Sequence, residues 1–159
     1  MLHVTPPQGT PDLLKGSLVA NAAGFVEVDA GSLRHVKYPD IFGLGDAAAT
    51  TNSKTAAAVR KQAPVVVKNL LHLIRGEAIE AGYDGYAACP LTTAYGKVLM
   101  AEFIYGGKPT PTLPLDPRKE RYVNWAIKKY GLPRLYWDYM LKGYESFPTH
   151  DVSYVDPAA

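Results

Sequence analysis

Cysteine is nearly absent from this chain of 159 residues: Cys89 is the single one. One thiol cannot close an internal disulfide, which excludes a disulfide-stapled scaffold and suits a reducing compartment. An excess of charge of one sign is missing too. Seventeen Lys and Arg against fifteen Asp and Glu leave a formal net charge of +2, and no basic run is dense enough to track phosphates, so nucleic acid is not an expected partner. No apolar run approaches the roughly 18 residues that a spanning helix requires, so any membrane contact should be peripheral. The opening Met1-Leu2-His3-Val4-Thr5-Pro6-Pro7 has neither a basic start nor a signal-like apolar stretch, and secretion is not expected. His3, His35, His72 and His150 do not stand at metal-ligand spacing with one another, with Cys89 or with an acid, so no metal is assigned. No Gly-x-Ser-x-Gly elbow is present either. What is there, 47% hydrophobic and 20% charged, suits one globular domain with a sizeable core.

Along the chain, Leu2-His3-Val4-Thr5 reads as a short strand stopped by Pro6-Pro7, which supply no backbone donors. Phe25-Val26-Glu27-Val28-Asp29 alternates apolar and polar residues, as a half-buried strand does. Tyr38 to Asp46 reads as an apolar strand ending in glycines. A helix follows, capped by Asn52 or Ser53 and running to Ala63, where Pro64 should kink or break it. Val66, Val67, Leu70, Leu71, Leu73 and Ile74 then recur at helical spacing up to Gly76. Beyond Gly82 the texture turns to β. Tyr95 to Tyr105 reads as a strand closed by the turn Gly106-Gly107-Lys108-Pro109. Asp116-Pro117 should open another helix, Leu132-Pro133 interrupt it, and Thr149 to Ala159 form a loose tail. The natural division is 1–82 and 83–159.

Two features carry chemistry. Gly43-Leu44-Gly45-Asp46-Ala47-Ala48 formally fits a dinucleotide fingerprint, yet Asp46 would place a carboxylate beside the pyrophosphate, and the region some twenty residues on is helical. An ionised Asp after close-approach glycines is better suited to accept hydrogen bonds from a polyol; the plainer alternative is a strand-end turn with a capping Asp. Cys89 is open to two readings, an ordinary small apolar side chain or a redox thiol whose partner lies elsewhere.

The run Tyr38-Pro39-Asp40-Ile41-Phe42-Gly43-Leu44-Gly45-Asp46 resembles the second flavin-binding motif of flavoproteins with two dinucleotide-binding domains. Tyr83 to Leu91, Lys97 to Phe103, Leu135 to Tyr144, Met1 to Pro7 and Asn52 to Ala58 narrow the resemblance to the sulfide:quinone oxidoreductases, in the branch that includes the mitochondrial enzyme. It spans nearly the whole chain and implies an α/β fold: the carboxyl-terminal part of such a flavoprotein, with strands of the FAD domain in 1–82, then a β segment and amphipathic helices in 83–159. Family members are longer, and their amino-terminal part carries the ADP-binding fingerprint and a second redox cysteine. The resemblance therefore implies FAD as cofactor, contacted by Gly45, Asp46 and Lys54, with Cys89 as a persulfide-forming thiol. Sulfide, quinone and a sulfane-sulfur acceptor would be its partners, and the portion alone would be inactive. Tyr122, Trp125, Tyr130, Tyr136, Trp137, Tyr139 and Tyr144, interleaved with Arg118, Lys119, Arg121, Lys128, Lys129, Arg134 and Lys142, suit a peripheral contact with the bacterial plasma membrane or mitochondrial inner membrane. Two rival readings share the pattern: a type II NADH:quinone reductase, which would use Gly45-Asp46 without requiring Cys89, and a non-catalytic module that keeps the fold.

Overall fold

The computed structural model describes residues 2, 4, 6, 9–144 and 152–153. The expected strand at Leu2–Thr5 lies partly outside them, as does the tail from Thr149, of which only Val152 and Ser153 are described. The first third of the chain is extended and irregular, joined by single bridges: Val26 to Ala20 and Ala48, Val28 to His35, and Arg34 to Phe42. The alternation at residues 25–29 is thus realised, with Val26 and Val28 buried and Ala48 closing a small core beside Leu14 and Val19. Gly43 lies so close beneath this core that a Cβ there would sit 3.0 Å from both Val26 Cγ1 and Val28 Cγ1. The expected strand from Tyr38 to Asp46 reduces to one bridge at Phe42 and ends in a 3-10 turn at Gly45–Ala47.

Helix α1 runs Ala56–Arg75, capped by Thr55, whose hydroxyl accepts from the Ala58 amide at 3.2 Å, in place of Asn52 or Ser53. Pro64 neither kinks it into two helices nor ends it. The buried stripe of α1, Ala58, Gln62, Val65 and Asn69, holds the helix to the rest of the molecule on both sides of the proline, and that tertiary packing outweighs local propensity. Asn69 is fully buried: Nδ2 donates to the carbonyls of Ser32 at 3.0 Å and Ala81 at 2.9 Å, and Oδ1 accepts from the Ala81 amide at 3.0 Å. Val67, Leu70, Leu71 and Ile74, by contrast, face outward. Left-handed Gly76 ends the helix, as its sequence position predicts.

Strands β1 (Ala81–Gly82), β2 (Ala87–Ala94), β3 (Lys97–Ile104) and β4 (Lys108–Pro109) follow, and β5 (Val152–Ser153) pairs with β1. β2, β3 and β4 form an antiparallel sheet in that order. The Gly106-Gly107 turn is present, but Lys108 and Pro109 pair back onto Ile104 and Phe103. Leu33 and Val65 pack with Tyr83 and Tyr86 in a second core, so α1 rests against the entry to β2.

Asp116-Pro117 does not open a helix. Asp116 instead accepts from the Arg118 amide and guanidinium at 3.1 Å each, and helical structure begins with α2 at Tyr122–Ala126. It continues through a π-turn (Ile127–Gly131), α3 (Leu132–Arg134), a second π-turn (Leu135–Tyr139) and a 3-10 turn (Met140–Lys142). Leu132-Pro133 does not interrupt this path: the Leu132 amide bonds five residues back to Ile127, and the widened turn makes room for the ring. Asn124 Nδ2 reaches the Val98 carbonyl at 3.3 Å, and Lys128 Nζ reaches the Pro90 carbonyl at 2.7 Å and Thr92 Oγ1 at 2.9 Å, docking the helical segment on the β2–β3 hairpin.

Candidate functional site

The Gly45 turn packs against α1. Gly45 has φ +66°, the left-handed region that favours glycine, and an added Cβ would lie 3.2 Å from Val59 Cγ2. Its amide is committed inward, donating to Gln62 Oε1 at 2.7 Å. Asp46 therefore stands at the surface, and no hydrogen bond to its carboxylate forms among the described residues. Lys54 reaches back across the loop: Nζ donates to the Ala48 carbonyl and lies 4.8 Å from the Phe25 ring centroid. Burial pushes the pKa of this ammonium below its ordinary value, opposed by the nearby charge of Asp46. A carboxylate at the surface and an ammonium near it thus stand close in sequence to the first turn of α1.

Cys89 lies in β2, opposite Ala101 and exposed. Because side chains alternate along a strand, Ala87, Cys89 and Leu91 share one face with their cross-strand partners Phe103, Ala101 and Leu99. That face is apolar and partly open, with Leu91 48% and Phe103 40% exposed. The opposite face is closed by Glu102, which accepts from Tyr86 Oη and Thr112 Oγ1 at 2.5 Å each and from the Thr112 amide at 3.0 Å. Pro90 costs the sheet nothing on the edge strand, where an amide would have no partner strand.

A cleft of about 250 Å³ is lined by Thr51, Asn52 and Ser53 on one side and Gly85, Ala87, Phe103 and Tyr105 on the other. Gly45, Asp46 and Lys54 are not part of this lining, although Lys54 directly follows the lining residue Ser53. Cys89 is not part of the lining; it sits one pleat beyond Ala87 on the same sheet face. Tyr83 and Tyr105 flank the site, with phenol pKa values pushed up chiefly by burial; Tyr86 is pushed up to about 12, by burial first and then by its bond to Glu102. The sequence reading did not single out Gln62, and it read Lys128 as part of a membrane-contacting segment, whereas its ammonium is tied to Pro90 and Thr92 of β2. A polar residue at the helical interval between Ala58 and Val65 was the one available hint for Gln62. His35 is a core histidine: its ring nitrogens meet the Val19 carbonyl at 3.1 Å and the amides of Lys37 and Tyr38 at 3.0 and 3.1 Å. Among the described residues no group of His, Cys, Asp and Glu could hold a metal ion.

No family model matches the chain. Among curated proteins it is 48% identical over 144 residues to "Sulfide:quinone oxidoreductase, mitochondrial" of Dictyostelium discoideum, 45% over 148 residues to that of Mus musculus, and 35% over 147 residues to that of Schizosaccharomyces pombe. These matches take in 90%, 93% and 89% of this chain but 32%, 33% and 32% of the relatives, so the chain spans about a third of their length. Among solved structures it is similar, with TM-score 0.75 and 28% identity over 83% of this chain and 32% of the other, to a chain of the Tetrahymena thermophila mitochondrial ATP synthase F1Fo composite tetramer. Across nine-tenths of its residues the chain is thus similar to about one third of the mitochondrial sulfide:quinone oxidoreductases.

Proposed function

We propose that the chain is the carboxyl-terminal portion of a flavin-dependent sulfide:quinone oxidoreductase and that Cys89 is one of its two redox thiols. The observation that carries this reading is the 48% and 45% identity to two mitochondrial members. The geometry is compatible with it: an exposed thiol stands on an apolar sheet face one pleat beyond the cleft residue Ala87, and the ammonium of Lys54 follows the cleft residue Ser53 in sequence. In this reading 1–82 belong to the FAD domain and 83–159 form the β segment and closing helices of a two-dinucleotide-domain enzyme.

FAD, when bound, would take up the two electrons released as sulfide sulfur is oxidised and pass them, with protons, to quinone. The work of this chain is to hold and to react. Asp46 accepts from the ribityl hydroxyls, and Lys54 with the amino-terminal end of α1 stabilises negative charge on the reduced ring. Cys89 takes part as a disulfide with a partner cysteine of the amino-terminal part. Hydrosulfide attacks one sulfur, that S–S bond breaks, a persulfide forms on the attacked cysteine, and the other leaves as a thiolate. The terminal persulfide sulfur then passes to a nucleophilic sulfane-sulfur acceptor, leaving both cysteines as thiolates, and their reoxidation to the disulfide releases the two electrons that bound FAD would take up. The aromatic and basic face of residues 122–144 brings the enzyme to the membrane surface where quinone is dissolved; no described helix is long and apolar enough to cross it. The 159 residues alone, with one thiol, are expected to turn over no sulfide.

A second reading, a non-catalytic assembly module with the same fold, is favoured by the likeness to a chain of the Tetrahymena ATP synthase structure. One experiment separates them. The full-length protein is purified and its absorbance followed on adding sulfide and then quinone. Bound flavin that bleaches with sulfide and recovers with quinone supports the oxidoreductase; a folded protein without flavin contradicts it.

A further inference from the structure

Two buried polar side chains, Gln62 and Tyr83, tie the segments around the cleft to the rest of the fold. Gln62 is 1% exposed and Tyr83 is 4% exposed, so neither can leave a polar atom unsatisfied without cost. Gln62 accepts from the Gly45 amide at 2.7 Å. The Tyr83 hydroxyl accepts from Asn52 Nδ2 at 2.8 Å and donates to the Tyr86 carbonyl at 2.6 Å. Gln62 thus ties the turn that presents Asp46 to the middle of α1, and Tyr83, packed against α1 through Val65, bridges the loop before Lys54 to the residue preceding β2. Among the described residues no backbone hydrogen bond joins residues 43–54 to β2 directly. Apolar contacts also hold α1 to this region, but they are tolerant of small displacements, whereas directional bonds have a set length.

We infer that Gln62, Tyr83 and Asn52 are positioning residues that set the distance between the Asp46–Lys54 segment and the strand bearing Cys89. The inference rests on the flavin reading and adds to it what fixes the thiol against the ring. Sulfur-to-flavin chemistry needs reacting atoms aligned at contact, and a displacement of about 1 Å costs on the order of a hundredfold in rate. The bridge acts through other groups and touches no substrate.

The test uses the flavin-loaded full-length protein and three variants. Tyr83→Phe keeps the ring and its packing and deletes the hydroxyl; Gln62→Met keeps the bulk and deletes the acceptor; Asn52→Ala alters a half-buried loop side chain and decides the matter if the core variants fold poorly. The rate of flavin bleaching at saturating sulfide, per bound flavin, should fall about tenfold or more in Tyr83→Phe and Gln62→Met, and less in Asn52→Ala. The sulfide concentration for half-saturation should be unchanged. Hydrogen exchange at the Gly45 amide should be slow in the wild type and faster in Gln62→Met. Wild-type bleaching rates per bound flavin in every folded variant overturn the inference, even if flavin content drops, because the bridge is then structural only. Absence of flavin from the wild-type protein overturns the flavin reading and the inference with it.

Discussion

Asp46 owes its availability to its neighbour. The left-handed backbone of Gly45 and its bond to Gln62 turn the chain so that the next carboxylate stands outward with no hydrogen bond among the described residues. A carboxylate holding one or two ribityl hydroxyls contributes about 1.5–3 kcal/mol per bond. Asp46→Ala in the full-length protein should therefore raise the dissociation constant for FAD about tenfold or more, and Asp46→Asn, which keeps an acceptor oxygen, should raise it less. Fluorescence titration of the flavin-free protein measures both, and unchanged affinity in Asp46→Ala would remove this residue from the site. The turn at Gly45 was legible in the sequence because glycine spacing is a local signal, although the strand read before it reduces to one bridge at Phe42. Gln62 was not, because its meaning depends on which face of α1 is buried. Cys89 was visible as an isolated thiol, but its strand was hidden by the turn-like and aromatic residues around it.

Helix α1 shows how tertiary contacts overrule a local rule. Pro64 reads as a breaker, yet Gln62 and Asn69 anchor the helix on either side of it, through Gly45 at one end and Ser32 and Ala81 at the other. The apolar recurrence from Val66 to Ile74 signalled a helix correctly, but the buried stripe carries two amides instead, which hydrophobic periodicity cannot find. Proline in a helix interior costs roughly 3 kcal/mol relative to alanine, partly offset by the stiffer unfolded chain. Pro64→Ala should accordingly stabilise the protein by about 1–3 kcal/mol, seen as a higher urea midpoint at unchanged slope; a lower midpoint would mean the ring packs usefully. At Pro133 the sequence again signals a break, and the structure resolves it by a π-turn, whose register no single residue type announces.

Across the whole molecule, the core between α1 and the sheet is unusually phenolic. Tyr83 and Tyr86 are buried and Tyr105 packs against them, all with pKa values held above the ordinary phenol value near 10, and Tyr86 reaches about 12. A group whose pKa is raised by folding stabilises the folded state below its unfolded pKa, and that stability is lost as pH rises through the folded value. Stability should hold steady up to about pH 10 and fall above it, with phenolate absorbance near 295 nm appearing together with unfolding; early titration of these tyrosines in the folded protein would contradict this. The closing helical segment leaves Tyr122, Tyr130, Trp137, Tyr139, Leu141 and Tyr144 exposed, while Lys128 is tied to β2 and Lys129 lies over Trp125. Vesicles containing anionic lipid should bind the protein and shift Trp137 fluorescence to the blue, more strongly at low salt; no binding at low salt would sink the membrane contact. The most direct measurement, however, addresses the thiol itself. Sulfide-dependent quinone reduction by the flavin-loaded full-length protein should fall to background in Cys89→Ser with its flavin retained, whereas turnover surviving that substitution would contradict the role of Cys89 as a redox thiol.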